Sequence, residues 1–473
     1  MTRRPVVVKF GGASLADPVA VAARLASLRA EGWPVIAVVS ARAGVTDRLV
    51  RALGHPTDSA GHRRTVADLR ALHPGEEASV ERRLGELARA FTWSERRAGL
   101  RPAAVDGVLA FGERLAVEWL VPRLRAGGLP AVAVDSARLG LWTDGRHGAG
   151  TIRLDRSRRP VRAGLIRLLA RGELPVLTGY FGRGADGEPV TLGRGGSDYA
   201  ASAVGAIVGA EFVELVKPEA SILSADPRDV PAAHPIRSLT YEEAEELAEF
   251  GARVLHPMTI EPARAAGIEL RVRSLRDPSV ATIVGPRAGP PGIRAVTGSP
   301  RVSLFRLRFP GARGRTGVLS EICRRLAVAG VPVLQVFTSA AVVSVVVAAD
   351  KAARSRQALT SLVRERGARL DPAISVALLA GIGAGAIGDL PRFPLEVLES
   401  AEGISATRTS FTVAVPARDR LPDLRRLHAT LQEPPNRRPP ALPSGRRAFG
   451  PAPARAAGLP DPRRSRRPSK RTT

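Results

Sequence analysis

Short apolar runs alternate with amphipathic ones along the first half of the chain. VVVKF (Val6–Phe10) is apolar except for Lys9, and VIAVV (Val35–Val39) is apolar throughout. Runs of that length, bounded by Gly and Pro, read as buried strands. The stretch from Pro18 to Ala30 between them has helical composition, and a second helix is expected after Thr46. The order is therefore βαβα, which predicts a parallel sheet covered on both faces. Further strands are expected at Ala131–Val134, Pro175–Thr178, Phe212–Val216 and Leu270–Arg273. Asp198–Gly209 is small and apolar and suits a helix packed tightly behind a glycine turn.

The rhythm changes after PRAGPPG (Pro286–Gly292), a linker signal. Ser303–Phe309 alternates, Thr316–Ala329 is amphipathic, and strands are expected at Val331–Thr338 and Ala341–Ala349. A helix over Lys351–Arg366 and a strand over Ile374–Leu379 complete a βαββαβ order, that of a ferredoxin-like unit. A shorter copy follows from Ile374–Leu379 through Phe393–Ala401, Ile404–Thr409, Phe411–Val415 and Leu421–Leu431. The expected organisation is an α/β domain over residues 1–285, a linker over 286–298, one unit over 299–370, a shortened one over 371–432, and a tail over 433–473. That tail is rich in Pro and Arg, lacks periodicity, and is expected to be disordered.

At 473 residues and 44% hydrophobic content the chain can build two or three globular domains. No apolar run approaches the ~20 residues that span a bilayer. The apolar run after Met1 is too short for a signal peptide and leads straight into glycines, so a cytoplasmic protein is expected. Cys323 is the only cysteine, which excludes an intrachain disulfide and a cysteine metal site. The net charge of +26 would suggest nucleic acid. However, lysine occurs only at Lys9, Lys217, Lys351 and Lys470, so the excess is arginine amid abundant Ala, Gly and Pro, a high-GC coding bias. The last 41 residues alone hold eleven basic and two acidic side chains, and nucleic-acid binding is set aside as a main function.

Two glycine turns carry the chemistry. KFGG (Lys9–Gly12) follows the first strand, and GRGGSD (Gly193–Asp198) precedes the small apolar helix. Glycines bring bare backbone N–H groups close to phosphate oxygens, and the helix N-terminus adds its dipole. A structural turn needs the glycines but not Arg194 and Asp198 around Ser197. Lys9 is the only lysine before Lys217 in a chain that otherwise uses arginine. A flexible point charge at a strand end can follow a transferring phosphoryl group better than a planar guanidinium.

These residues resemble the aspartate kinases of the amino acid kinase superfamily, over Val6 to about His428. KFGGAS (Lys9–Ser14) is similar to the family's KFGGTS, with Ala13 in place of threonine. VVSARAGVTDRL (Val38–Leu49), FGERLA (Phe111–Ala116), LGRGGSDYAA (Leu192–Ala201), SADPRDV (Ser224–Val230) and YEEAEELAEFGARVLHPMTIEPA (Tyr241–Ala263) follow in the family's order. The resemblance implies a three-layer α/β/α, carbamate-kinase-like domain with a mostly parallel sheet, then two ferredoxin-like ACT domains. It implies transfer of the ATP γ-phosphoryl group to the side-chain carboxylate of L-aspartate with Mg²⁺, the first step toward lysine, threonine and methionine. ACT domains in this family sense amino acids, here lysine or threonine, and mediate assembly into a homodimer or higher homo-oligomer; a dimerisation module without effector is the simpler alternative.

By the same resemblance Lys9 and Asp198 are catalytic, Lys9 stabilising the transition state and Asp198 orienting it. An acid beside phosphates must pair with a cation or Mg²⁺, though Asp198 could also cap its helix. Glu113 is the position for the substrate ammonium and Arg194 for its α-carboxylate, with Ser40, Thr46 and Ser197 as substrate contacts. Lys9, Phe10, Gly11, Gly12, Lys217, Arg228 and Arg253 fall on the nucleotide side, and no residue is assigned to a protein-bound metal.

The nucleotide side also departs from the family. Its WTDVDG-type run is here VKPEAS (Val216–Ser221), which puts Lys217 and Pro218 where threonine and aspartate are expected, and Leu223 at an aromatic position. Arg253 replaces the lysine of GAKVLHP. Either Lys217, Arg228 and Arg253 hold the phosphates, or nucleotide binding has weakened. In the second case the chain is an amino-acid sensor on a decayed kinase; a kinase with a different acceptor is the other alternative. If the strip is damaged, restoring Thr–Asp at 217–218 should improve ATP use.

Overall fold

The computed structural model describes residues 3–75, 77–95, 101–217, 221–250, 255–277, 280–287, 289, 292–309, 317–383, 385–386 and 393–432. Pro218, Arg253 and the tail from 433 onward lie outside the described residues. The first strands are β1 (Val6–Phe10), β2 (Val35–Val39), β3 (Ala131–Val134), β4 (Leu174–Thr178), β5 (Phe181–Arg183) and β6 (Pro189–Thr191). They are followed by β7 (Phe212–Lys217), β8 (Ser238–Thr240), β9 (Glu269–Ser274) and β10 (Ala281–Gly285). Eight of them form one sheet in the order β3-β4-β2-β1-β7-β9-β10-β8, and β5 and β6 make a separate hairpin. Pairing is parallel from β3 to β9, and only the β9–β10 pair is antiparallel within the sheet.

Residues of β1 alternate across this sheet. Val6, Val8 and Phe10 pack in one core with α1 (Pro18–Ala30), α2 (Val45–Leu53), α3 (Ser59–Leu72), α4 (Ala78–Glu95), α5 (Pro102–Leu109) and α6 (Phe111–Ala126). Val7 packs in the opposite core. Following the short α7 (Ser136–Leu139), that second layer comprises α8 (Leu154–Ala170), α9 (Gly196–Val208), α10 (Tyr241–Glu249) and α11 (Pro257–Ala266). The period of two therefore turns Lys9 to the α9 side. Every residue of α9 is buried, which its Ala, Gly and Ser content permits at close range.

The second sheet is antiparallel. Its strands are β11 (Ala295–Gly298), β12 (Val302–Arg308), β13 (Gln335–Thr338), β14 (Val342–Ala348), β15 (Arg369–Leu370), β16 (Ile374–Ile382), β17 (Gly403–Ala406) and β18 (Ser410–Pro416). Helices α12 (Val318–Val328), α13 (Ala352–Glu365), α14 (Leu395–Glu399) and α15 (Arg420–Gln432) connect or follow them. The order β13-β14-β12-β16-β18-β17, with β15 on β12 and β11 on β16, joins two ferredoxin-like units edge to edge. Two details differ from the sequence reading. The first unit gains the two-residue β15 beside β12, and β16 pairs with β12 of that unit as well as with β11 and β18 of the second. The second unit takes its outer strand from β11, which lies within the stretch expected to be a linker. A four-residue apolar–polar run gave too little periodicity to read as a strand.

Candidate active site

Parallel pairing of β1 with β7 aligns Phe10 with Val216, so the chain places Lys9 and Lys217 at adjacent strand ends. The turn before α9 supplies their partner. Gly193 and Gly195 have φ of 70° and 74°, and a Cβ at Gly195 would sit 2.9 Å from the His256 side chain. Only glycine fits there without strain. Asp198 then projects from the first turn of α9, with Lys9 Nζ 2.6 Å from its Oδ1 and Lys217 Nζ 2.7 Å from its Oδ2. Burial opposes ionisation of Asp198, but the two ammonium groups outweigh it and bring the carboxyl down to about 2. Burial lowers Lys9 from its ordinary value, Asp198 pulls it back up, and Lys217 pushes it down again.

On the other wall, Glu113 stands on the first turn of α6 and is almost completely buried. The Ala41 backbone N–H donates to its Oε1 at 2.8 Å, and its buried Oε2 has no protein partner. Burial pushes Glu113 up to about 8, against the pull of the Ala41 and Glu113 N–H groups and the Lys9 charge. At pH 7 burial favours its neutral form.

A cavity of about 380 Å³ joins the two walls. Lys9, Ser40, Thr46, Glu113, Arg194, Ser197 and Asp198 all line it. Every residue expected to be catalytic or to touch substrate therefore comes to one place. Gly12 lets the first glycine turn close against the turn that follows β2: a Cβ there would lie 2.3 Å from the Ala41 carbonyl oxygen. Arg194 is exposed at the mouth, free of any described ion pair.

Among proteins of known sequence and structure, the amino acid kinase family matches residues 4–274. The chain belongs to the amino acid kinase family. An aspartokinase from Thermus thermophilus is 28% identical over 446 residues, covering 90% of this chain and 98% of the relative. Aspartokinase 1 of Bacillus subtilis is 27% identical over 449 residues with the same coverage. The solved structure of E. coli aspartokinase III in complex with aspartate and ADP matches with a TM-score of 0.74 at 27% identity, over 91% of this chain and all of that one.

Within this amino acid kinase domain the nucleotide-side expectations divide. Lys217 reaches the Asp198 carboxylate, and Gly11 lies beside the Lys9 ammonium. Phe10 is fully buried among core residues of β2 and α1, so only its backbone can face a ligand. Arg228 is exposed and its guanidinium pairs with Asp226, two residues away, outside the cavity.

Two residues escaped the sequence reading. Tyr180 lines the cavity with φ of 64°, the one described non-glycine residue in the left-handed region. Such a conformation is held only where surroundings enforce it, and its carbonyl accepts the Leu192 N–H at 2.8 Å. Asp106, buried on α5, accepts from the Thr191 hydroxyl at 2.6 Å, the Thr191 N–H at 3.0 Å, the Gly148 N–H at 3.1 Å and His147 Nδ1 at 2.8 Å. It fixes the strand end from which the Arg194 turn springs. Neither residue stands in a motif with a chemical signature, so sequence alone gives no signal for them.

Proposed function

We propose that this protein is an aspartate kinase, converting Mg-ATP and L-aspartate into ADP and 4-phospho-L-aspartate, the step that opens the route to lysine, threonine and methionine. The observation that carries the reading is one small cavity with two ammonium groups sharing Asp198 on one wall and a cation-seeking acid on the other.

The nucleophile is the side-chain carboxylate of aspartate, already anionic, so no base is required. One of its oxygens bonds to the γ-phosphorus while the bond to the β–γ bridging oxygen breaks, and that oxygen leaves on ADP with its electron pair. The obstacle is repulsion between anions and charge spread over the phosphoryl oxygens. Lys9 and Lys217 supply fixed positive charge for this, held in position by Asp198 and shielded from water. The N–H groups of Gly11, Gly12 and the α9 N-terminus add backbone donors. Glu113 pairs with the substrate ammonium, and Arg194 clamps its α-carboxylate bidentately. Ser40, Thr46 and Ser197 offer hydroxyls to the remaining oxygens. Together they bind aspartate by both of its α-substituents and leave the side chain free to react.

Among the described residues no group of three or more His, Cys, Asp or Glu could cage a metal, and both oxygens of Asp198 are engaged by ammonium groups. The donor set therefore fits Mg²⁺ carried in on the nucleotide phosphates, where it would neutralise charge. Arg228 and Arg253 are the further cations for those phosphates. The intact ammonium–carboxylate cluster argues for a working enzyme over a decayed sensor.

The two ferredoxin-like units fit the role of ACT domains that take an amino-acid effector, lysine or threonine, and assemble a homodimer or larger oligomer. No described helix is long and apolar enough to cross a membrane. The test of the function is turnover of ATP with L-aspartate, trapping the acyl phosphate as its hydroxamate. Folded protein that forms no hydroxamate with aspartate would refute the assignment.

A further inference from the structure

The loop that leaves β7 after Lys217 returns to the first sheet only at β8, and it does not pack on that sheet alone. Ala225 and Val230 are buried in the apolar core of the second ferredoxin-like unit, beside Leu379, Phe411, Val413, Leu424 and Leu427. The Ser224 carbonyl accepts the Val296 N–H of β11 at 2.8 Å. Helix α15 then holds the loop at three points. Arg420 grips Asp229 with both arms of its guanidinium, at 2.9 and 3.1 Å. Arg425 Nε donates to the Asp229 carbonyl at 2.9 Å. His428 Nε2 lies 2.8 Å from the buried Ser224 hydroxyl, which is also within 3.1 Å of His234 Nδ1. Arg228, a cation assigned above to the nucleotide phosphates, sits between the clamped residues Ser224 and Asp229.

We propose that α15 is a positioning element for the nucleotide: Arg420, Arg425 and His428 hold the Ser224–Asp229 loop where it can meet ATP, so the C-terminal sheet sets nucleotide affinity through this helix. The proposal rests on the kinase reading above. A rigid fork-to-carboxylate pair fixes orientation as well as distance, and loops that carry ligand groups gain affinity when they need not be ordered on binding. The remaining chain of contacts is short. Leu379 of β16 and Val413 of β18 share an apolar core with Ala225 and Val230, the chain neighbours of the clamped Ser224 and Asp229.

Calorimetry with Mg-ADP on the full chain tests this, with L-aspartate titrated separately. Arg420→Gln should weaken Mg-ADP by about three- to tenfold, the loss of one partly exposed charged pair. Aspartate affinity should stay within about twofold, and Arg420→Lys, which keeps the charge but not the fork, should recover part of the loss. Asp229→Asn preserves shape and tests the same contact should Arg420→Gln fold poorly. Coupling is reciprocal, so Mg-ADP should slow amide hydrogen exchange in α15 of the wild type. Folded Arg420→Gln or Asp229→Asn protein with unchanged Mg-ADP affinity would overturn the proposal, as would equal weakening of nucleotide and aspartate. Wild-type protein that binds aspartate but no Mg-ADP would overturn the kinase reading and this one with it.

Discussion

Replacing Glu113 by Gln should remove the pH dependence of aspartate use. Burial outweighs the nearby N–H donors and Lys9 and holds this carboxyl at about 8. Substrate ammonium needs the ionised form, so at pH 7 binding must first deprotonate Glu113, at a cost on the order of 1 kcal/mol. That cost disappears above pH 8. The KM for aspartate should therefore fall about tenfold between pH 7 and pH 9, with unit slope at the acid end. A coupled assay of ADP release over about pH 6 to 9, at saturating ATP, reads this directly, and the substrate ammonium stays protonated across most of that range. Calorimetry at pH 7 in buffers of different ionisation enthalpy should count nearly one proton released per aspartate bound. Gln cannot ionise, so the variant should show a high and flat KM. The same group has a stability signature of known sign. Its folded value lies above its unfolded one, so its contribution is most favourable below the unfolded value and is lost as pH rises toward 8. At pH 7 the loss is about 3 kcal/mol, which Glu113→Gln should recover as a higher Tm. An aspartate KM that does not change with pH, or a Gln variant that keeps the slope, would refute the reasoning.

Lys9→Ala should lower kcat by about a hundredfold or more with little change in Tm, since Lys217 still neutralises Asp198; stopped-assay kinetics and a thermal melt check both halves. Lys217 changes the forecast drawn from the sequence for the 217–218 strip. Because its ammonium is 2.7 Å from Asp198, Lys217→Thr, alone or with Pro218→Asp, should cut kcat by roughly tenfold or more instead of improving ATP use. A lower KM for ATP at unchanged kcat would show that this ammonium does not serve the reaction. Gly195→Ala must adopt a left-handed φ and meet the His256 side chain; a loss of about 1–2 kcal/mol in stability and a raised aspartate KM are expected, measurable by urea melts and kinetics.

Most of the strands and helices, and the substrate half of the site, were legible because local signals agreed. Apolar runs marked β1, β2 and β7, broken only by Lys9 in β1 and by Glu214 and Lys217 in β7, and glycine turns followed β1 and preceded α9. Glu113 is far in sequence from Arg194 and Asp198, yet each occupies the first turn of a helix or the turn before one, and sheet order brings the two walls together. What was not legible depends on tertiary register. The Lys217–Asp198 contact follows from β7 lying beside β1, which no local pattern specifies. Tyr180 takes its left-handed backbone from the packing around it, and Asp106 draws its importance from four donors on two separate segments. Arg228 looked like a phosphate ligand from its motif, yet its partner is Asp226, two residues away. The extra strand β11 was hidden for the same reason: four residues acquire strand identity only from the edge of β16 that they cover.

That small strand determines how the polypeptide can be cut. Because β11 precedes the first ferredoxin-like unit and completes the second, the first unit is an insertion nested inside the other, and neither boundary between them is a place where the chain comes apart cleanly. A recombinant C-terminal half beginning at residue 299 would leave the Leu379–Ile382 edge of β16 uncovered, an apolar strand with open hydrogen-bonding groups that invites self-association. One beginning before Ala295 would carry its own cover. Nicking the chain between Gly298 and Val302 should be tolerated only while the severed strand stays bound, much as a peptide added in trans can heal a sheet. Dissection, tagging and loop exchange in this protein should therefore respect the nested order and not the order in which its segments are written.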